Sequence, residues 1–282
     1  TVAHDLVTEL LQYSSLACFM AIWQLCANLL TPNCLRSNLS YSPLAALELY
    51  VKQPYLYELE KEMQNYDIDM IVYPIDVSRT IGEHTLRIDS IIRNYRENTD
   101  SLDIFMVADK KASFVAMDVL SKDTAIVALI TLSGAFCNGD DYFYNETSIT
   151  KNMKMLDSVS FDNQKEQYLR IAYKMISQAK QGKKIKQPRG ADNYMQALFT
   201  LLNSRYGHSL LEFSLDDHLK SVRSKIIPLY QSKNQSSELD LYIGKLIYLG
   251  ALYGVEYIEP QSYKYDNISS EIVKHISNLL KN

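Results

Sequence analysis

The chain has 282 residues, which is enough for one large domain or two small ones. Apolar residues make up 47% and charged residues 22%, and a net charge of −4 excludes a global positive field that would attract nucleic acid. Near the start, the longest apolar run covers only 16–23, well short of the ~20 residues that a membrane helix requires. We therefore expect a folded protein with no nucleic-acid partner and no membrane span.

The first part of the chain is predicted to form two helices, a strand and a third helix. Residues 5–30 carry apolar side chains at helical spacing, and Pro32 ends that helix because proline cannot continue its hydrogen-bond ladder. Ser42-Pro43 favours the start of a second helix, since proline fits an early helical position. The stretch 68–77 is rich in Ile, Val and Tyr and predicts a strand, whereas 85–95 returns to helical spacing.

The second part begins with the clearest strand of the sequence. Residues 125–132 form an apolar run that predicts a strand buried on both faces. Gly134 and the cluster Asn138-Gly139-Asp140-Asp141 predict a turn after it, and Gly250 stands where the C-terminal cap of a helix is expected. The remaining predicted elements are helices at 194–203, 215–222, 237–249 and 269–280 and a strand at 224–230.

Four separated stretches resemble blocks of the serpin family, and they occur in the family's order. They are Asn38-Leu-Ser-Tyr-Ser42-Pro43, the run 73–99, Asp123-Thr124 with the apolar strand after it, and Ile227-Pro228 through Gly250. The resemblance implies an α+β, serpin-like fold in which helices pack around mixed and antiparallel sheets. It implies a single domain over 1–282, with deletions in the N-terminal half and no reactive-centre loop.

Departures from the serpin pattern bear on the function that the resemblance implies. The sequence stops at Asn282, about where serpins begin the strand and the loop that proteases cut. Ala45 stands where the family has a serine, and 269–280 is patterned as a helix where the family has a strand. The resemblance therefore implies a non-inhibitory binding, carrier, storage or assembly protein. The alternative is a serpin-type serine-protease inhibitor whose C-terminal reactive loop has been removed or is not in this chain.

The sequence predicts no catalytic residue, cofactor site or metal site, and no enzyme is expected. Adjacent carboxylates such as Asp140-Asp141 and Asp216-Asp217 point apart on a strand or a helix, so they do not form an acid–base pair. No phosphate loop or nucleophile elbow motif is present. The histidines show no metal spacing and are interpreted as solvated surface residues: His4, His84, His208, His218 and His275.

Four glycosylation sequons indicate a secreted protein. They begin at Asn38, Asn145, Asn234 and Asn267, and Asn145 falls in a turn-rich stretch. In the family resembled, the counterpart of Asn38 is buried, so the other three are the stronger candidates. We therefore expect an extracellular glycoprotein whose signal peptide has already been removed.

The four cysteines form no Cys-x-x-Cys pair, so a zinc site is not expected. Cys18 and Cys26 on one helix would be ~12 Å apart along its axis, which is too far for a disulfide. A disulfide would therefore involve Cys34 or Cys137. Buried free thiols are the alternative.

Two stretches are candidate partner sites. The first is the basic stretch 178–190, which is interpreted either as a solvated loop or, alternatively, as a polyanion contact or a processing site. Its basic residues are Lys180, Lys183, Lys184, Lys186 and Arg189. The predicted final helix carries an apolar stripe that packs either within the chain or on another subunit. We expect self-association or a protein partner through this stripe, which consists of Ile272, Val273, Ile276, Leu279 and Leu280.

Overall fold

The computed structural model describes residues 55–66, 68–97, 102–153, 162–191, 193–231, 237–257, 261–264 and 267–281. The two helices predicted before residue 55 lie outside the described residues, as do Asn38, Asn234, Cys18, Cys26 and Cys34. The described elements are, in chain order, α1 (Tyr55–Gln64), α2 (Ile81–Glu97), β1 (Ile104–Asp109), α3 (Ala112–Lys122), β2 (Ile126–Leu132), α4 (Gly139–Met153), α5 (Asp162–Lys180), α6 (Asn193–Leu202), α7 (Arg205–Leu211), α8 (Leu215–Leu219), β3 (Lys225–Gln231), α9 (Ser237–Tyr253), β4 (Gln261–Tyr263) and α10 (Ile268–Leu280).

By their contacts, the residues divide into two compact units, 1–74 with 266–282 and 75–265. In the first unit α1 packs against α10. Ser269 Oγ donates a hydrogen bond to the backbone oxygen of Tyr55 at 3.0 Å, and Ser270 Oγ donates to Glu62 Oε1 at 3.2 Å. The apolar faces of two helices thus cover each other, and the hydroxyls fix their register. The sequence-based prediction of one domain over 1–282 stays a prediction.

The final helix is confirmed as α10, and most of its apolar stripe is buried. Ile272, Val273 and Ile276 are buried, whereas Leu280 is 46% exposed. These side chains are withdrawn from water in a single chain, as the intramolecular alternative requires. Association through this helix stays a prediction, and Leu280 is the member of the stripe that is most available for it.

The second unit contains a sheet in which every described strand pair is parallel. The strand order is β1-β2-β3-β4, and the register pairs Asp109 with Leu132 and Leu132 with Leu229. Parallel neighbours require a crossover connection, which α3 supplies between β1 and β2, and α4 to α8 supply between β2 and β3. The described fold is therefore of the α/β class. The expectation of a serpin-like α+β fold with mixed or antiparallel sheets is wrong.

The core of the second unit forms where the central strands meet the helices that cover them. β2 reads Ile-Val-Ala-Leu-Ile-Thr-Leu, and all of it except Val127 is buried, as expected for a strand covered on both faces. The prediction for 125–132 is therefore confirmed. α3 is buried over most of its length because small and apolar residues surround it: Ser113, Phe114, Val115, Ala116, Met117, Val119 and Leu120.

Local sequence explains how several helices begin and end. Thr80 and Glu83 form a capping box before α2, in which the Thr80 amide donates to Glu83 Oε2 at 2.8 Å and the Glu83 amide donates to Thr80 Oγ1 at 3.2 Å. α9 passes through Gly250, and the left-handed residue after it is Gly254, with φ of +71°. The prediction of a cap at Gly250 is wrong, because the helix continues for another turn beyond it.

Two further predictions are wrong. Residues 68–76 form no strand, although their composition favours one, since no described strand pairs with them. The cluster that begins at Asn138 starts α4 instead of forming a turn, and Asn138 Oδ1 accepts a hydrogen bond from the Leu215 amide at 3.0 Å. Asn145 therefore lies within a helix. The Oγ1 of Thr147, the third residue of this sequon, is turned inward and donates to Phe143 O at 2.8 Å.

Among the described residues, no helix combines the length and the apolar character needed to cross a bilayer.

Candidate active site at the carboxyl edge of the sheet

The end of β1 is followed by a sharp turn into α3. Lys110 stands in this turn with a φ of +47°, a left-handed conformation that non-glycine residues seldom adopt. The Lys110 amide donates to Leu132 O at 2.9 Å, and the Lys110 oxygen accepts from the Ser113 amide at 3.1 Å. The residue is therefore held between the neighbouring strand and the first turn of α3.

The end of β2 carries a second left-handed residue. Ser133 has a φ of +52°, and its amide donates to Leu229 O of β3 at 2.7 Å. Gly134 follows so closely above β2 that a Cβ there would lie 2.7 Å from Thr131 Cβ. Since Asp109 is paired with Leu132, Lys110 and Ser133 are the next positions on the two strands. Both therefore lie side by side at the carboxyl edge of the parallel sheet, where ligands of such sheets bind.

Two tyrosine hydroxyls support these turns. The Tyr206 hydroxyl donates to Lys111 O at 2.8 Å, and the Tyr230 hydroxyl donates to Gly134 O at 3.2 Å. Both rings are buried, and burial raises the pKa of each phenol well above its ordinary value. The two hydroxyls therefore stay protonated donors, and each anchors the residue that follows a strained position.

The charge at this edge comes from two adjacent lysines. Lys110 is exposed and Lys111 is half-buried. Burial lowers the pKa of the Lys111 amine, and the positive charge of Lys110 lowers it further. Desolvation and a neighbouring cation are the two factors that make a lysine amine available as a base or a nucleophile.

Two buried hydroxyls occur in the same strands and turns. Ser113 Oγ, in the first turn of α3, and Thr131 Oγ1, in β2, have no hydrogen-bond partner among the described residues. Buried polar atoms are normally satisfied by protein or by water. The two hydroxyls without a partner thus lie in the elements next to Lys110 and Ser133, where they are free to form further hydrogen bonds.

The structure places the other polar residues singled out in the sequence in ion pairs or in the core. Asp140 pairs with Lys180, and Asp217 Oδ1 lies 2.9 Å from Lys220 Nζ.

His84 is buried rather than solvated, and its Nε2 lies 2.9 Å from Asp76 O. The interpretation of three histidines as solvated surface residues is wrong: His84 and His275 are buried, and His218 contacts the buried carboxylate of Asp118.

Cys137 is a buried free thiol, and burial raises its pKa well above the ordinary value. It therefore has neither the exposure nor the thiolate character of a reactive cysteine. Within the described ranges, no three His, Cys, Asp or Glu side chains come together as a metal site.

Neither Lys110 nor Ser133 was expected from the sequence. The left-handed positions carry no glycine, which is the usual signal, and two adjacent lysines are typical of a solvated turn. A usable signal was the order of the elements. The apolar stretch 104–108 precedes a helical pattern and then the buried strand at 125–132, which is typical of a β-α-β unit with a parallel sheet.

No protein-family model matches this sequence, and no curated protein matches it. Among solved structures, the chain is similar to a lipase-esterase related protein from Clostridium acetobutylicum, with 13% identity, a TM-score of 0.42, and coverage of 80% of this chain and 89% of that one. It is similar to a carboxylesterase of Nitrososphaera gargenis, with 8% identity, a TM-score of 0.37, and coverage of 73% and 75%. It is also similar to the enol-lactonase from Burkholderia xenovorans, with 6% identity, a TM-score of 0.35, and coverage of 73% and 74%.

These findings correct the serpin interpretation. That interpretation rested on four sequence blocks and implied a mixed or antiparallel sheet, whereas every described strand pair is parallel. The solved structures found carry the names of a lipase-esterase related protein, carboxylesterases and an enol-lactonase. The expectations of a non-inhibitory serpin-like glycoprotein, of a truncated protease inhibitor and of a chain that is not an enzyme are wrong. Identities and TM-scores at this level assign no reaction, so only the residues at the sheet edge can carry a functional proposal.

Proposed function

We propose that this chain is a hydrolase that cleaves carboxylic esters or amides by acyl transfer, with Ser133 as nucleophile and the Lys111 amine as general base. The observation that supports the proposal is the pair of left-handed residues, Lys110 and Ser133, at the ends of two neighbouring parallel strands. Strained backbone of this kind persists only where the surrounding structure holds it, and it clusters at active sites. Serine paired with lysine is a known variant of the serine–histidine arrangement.

The reaction proceeds in two steps. The Ser133 hydroxyl oxygen attacks the carbonyl carbon while the neutral amine of Lys111 accepts the hydroxyl proton. The bond from the carbonyl carbon to the leaving group then breaks, and Lys111 returns the proton to the departing alkoxide or amine. Water attacks the acyl-serine by the same route and releases the carboxylic acid. The lowered pKa of Lys111 raises the fraction of neutral amine at working pH.

The developing negative charge is stabilised from two directions. The first turn of α3 begins at Ala112, and the N-terminus of a helix is the positive end of its dipole. The Lys110 ammonium, which precedes this turn, adds a full positive charge. Preorganised donors of this kind are usually the largest contribution to acyl-transfer catalysis.

The two reacting side chains close on each other only with substrate. No hydrogen bond joins the Ser133 hydroxyl to either lysine amine in the part of the chain that the structure describes. The four-carbon stem of lysine allows the amine to move, and catalytic hydrogen bonds often tighten only in the substrate complex. We therefore expect Lys111 to approach Ser133 when a substrate covers the sheet edge.

Hydrolysis of an activated aryl acetate, p-nitrophenyl acetate, tests the proposal. Ser133→Ala should abolish turnover, and Lys111→Arg should lower kcat by roughly 10²–10⁴-fold, because arginine keeps the charge and cannot accept the proton. Lys122→Arg, a change on the exposed end of the same helix, is the matched control and should leave kcat unchanged. A wild-type protein without turnover, or a Ser133→Ala variant as active as the wild type, would contradict the proposal.

A further inference from the structure

The loop 181–191, called the basic loop below, starts from a fixed helix end. α5 ends at Lys180, and Gly182 takes a left-handed φ of +65°. The Gly182 amide donates to Ala179 O at 2.8 Å, and the Lys183 amide donates to Gln178 O at 2.9 Å. This pair of hydrogen bonds is the Schellman arrangement, which satisfies the last carbonyls of a helix. The chain therefore leaves α5 in a defined direction.

The middle of the basic loop is anchored in the core. Ile185 is only 4% exposed and belongs to the apolar core of the second unit. Its neighbours Lys184 and Lys186 are exposed, as are Lys183 and Arg189. A buried side chain between exposed cations holds the backbone against the domain. The four cations thus lie on a short stretch, 183–189, whose backbone is anchored by Ile185, and this set is called the patch below.

Among the described residues, no carboxylate neutralises this patch. Within the described residues, no ion pair involves Lys183, Lys184, Lys186 or Arg189, whereas the preceding Lys180 pairs with Asp140. The sequence from 181 to 191 contains no acidic residue. Four positive charges thus face the solvent on a chain whose net charge is −4. Unpaired cations concentrated on an otherwise acidic protein indicate an anionic partner that meets only this patch.

The residue types indicate which anionic partner fits. The basic loop has no aromatic residue, so it lacks the side chains on which bases of a single strand stack. Four lysine and arginine residues in a short cluster match the composition that binds the headgroups of anionic lipids. We propose that the basic loop is a docking surface for an anionic phospholipid bilayer, with the chain lying against the bilayer and not crossing it.

Co-sedimentation with lipid vesicles tests this assignment. Vesicles of phosphatidylcholine with about 30 mol% phosphatidylserine should bind the protein, and pure phosphatidylcholine vesicles should not. Each cation contributes about five-fold to the partition coefficient, so replacing Lys183, Lys184, Lys186 and Arg189 by glutamine should reduce binding to background. Raising the salt concentration should weaken binding of the wild type, because counterions screen the patch.

A matched control separates the patch from net charge. Arg87, Arg93, Lys174 and Lys264 are exposed cations elsewhere in the second unit. Replacing these four by glutamine removes the same charge, and the variant should bind anionic vesicles as the wild type does. The proposal is overturned if the wild type does not bind the vesicles, or if the control variant loses binding to the same extent. A single RNA strand of about 20 nucleotides, roughly twice the site of one binding module, tests the other anionic partner. Tighter binding of this RNA than of the vesicles, abolished by the same four substitutions, would also overturn the proposal. Circular dichroism of both variants verifies that they fold.

Discussion

His218 Nε2 lies 2.9 Å from Asp118 Oδ1, although the two residues are 100 positions apart in the sequence. The other ring nitrogen, Nδ1, lies 2.6 Å from Ser214 O. The imidazole ring therefore bridges the carboxylate of Asp118 and the backbone oxygen of Ser214. The ring also stacks on Phe213, with centroids 4.2 Å apart. Asp118 and His218 therefore link α3 to α8 by a side-chain contact.

Removing the charge of Asp118 should destabilise the second unit. Its carboxylate also accepts from Thr85 Oγ1 and Lys122 Nζ, each at 2.6 Å, so three elements depend on it. Asp118→Asn should lower the free energy of unfolding by about 2–4 kcal/mol, because His218, Thr85 and Lys122 lose a buried carboxylate partner. Urea denaturation measures this change. The exposed ion-pair variant Asp217→Asn is the control and should show no measurable change.

Acid should destabilise the protein in two steps. Burial lowers the pKa of His84 below its ordinary value of 6.5. Protonation of this ring therefore leaves the free energy of unfolding unchanged above pH 6.5 and reduces it as the pH falls from 6.5 towards the folded-state pKa. Burial raises the pKa of Asp118, but hydrogen bonds from His218, Lys122 and Thr85 outweigh burial and hold it well below 3.8. The stabilisation that the Asp118 carboxylate provides is therefore complete above the pH range in which carboxyl groups ordinarily titrate, and it is lost as the pH falls below that range. Chemical denaturation between pH 7 and 3 should show both losses.

Variants identify the two groups. His84→Gln should flatten the stability profile between pH 7 and 5 and leave the lower step unchanged. Asp118→Asn should remove the step below pH 4. A His84→Gln profile that parallels that of the wild type across the whole range would show that another group titrates there.

At the left-handed turn position Lys110, a glycine variant should be more stable than an alanine variant, which is the reverse of the usual order in helices. In a helix, alanine is more stable than glycine, whereas at a φ of +47° the Cβ of alanine is strained. Lys110→Gly should therefore be more stable than Lys110→Ala by about 1 kcal/mol. Thermal melts of the two variants measure the difference. Equal melting temperatures would mean that the turn carries no strain.

Gly139 should tolerate no larger residue. A Cβ at this position would lie 1.5 Å from Leu210 O, a backbone atom that cannot move aside without shifting α7. Gly139→Ala should cost about 3 kcal/mol or more of unfolding free energy. Gly82→Ala is the control, because nothing lies within 4 Å of a Cβ at this helical position. The control should gain roughly 0.5–1 kcal/mol from helix propensity.

Sequence patterns predicted the elements whose burial dominates their composition. β2 and α10 were found because nearly every residue, or one whole face, is apolar. The direction of the strands was missed because periodicity does not encode it, and the serpin resemblance supplied the wrong sheet. Residues 68–76 have strand-like composition and no partner strand among the described residues, so composition misled there. Lys110 and Ser133 were missed because their importance lies in backbone angles and in pairing between strands.

The parallel sheet also sets the order in which the second unit should fold. β1, α3 and β2 lie together within 104–132, so their contacts close only short loops, whereas β3 pairs with β2 after the chain has passed through α4 to α8. We expect the β1-α3-β2 unit to form in the folding transition state and β3 to join afterwards. Leu129→Ala should then slow refolding, whereas Ile227→Ala should mainly accelerate unfolding, because its contacts form after the barrier.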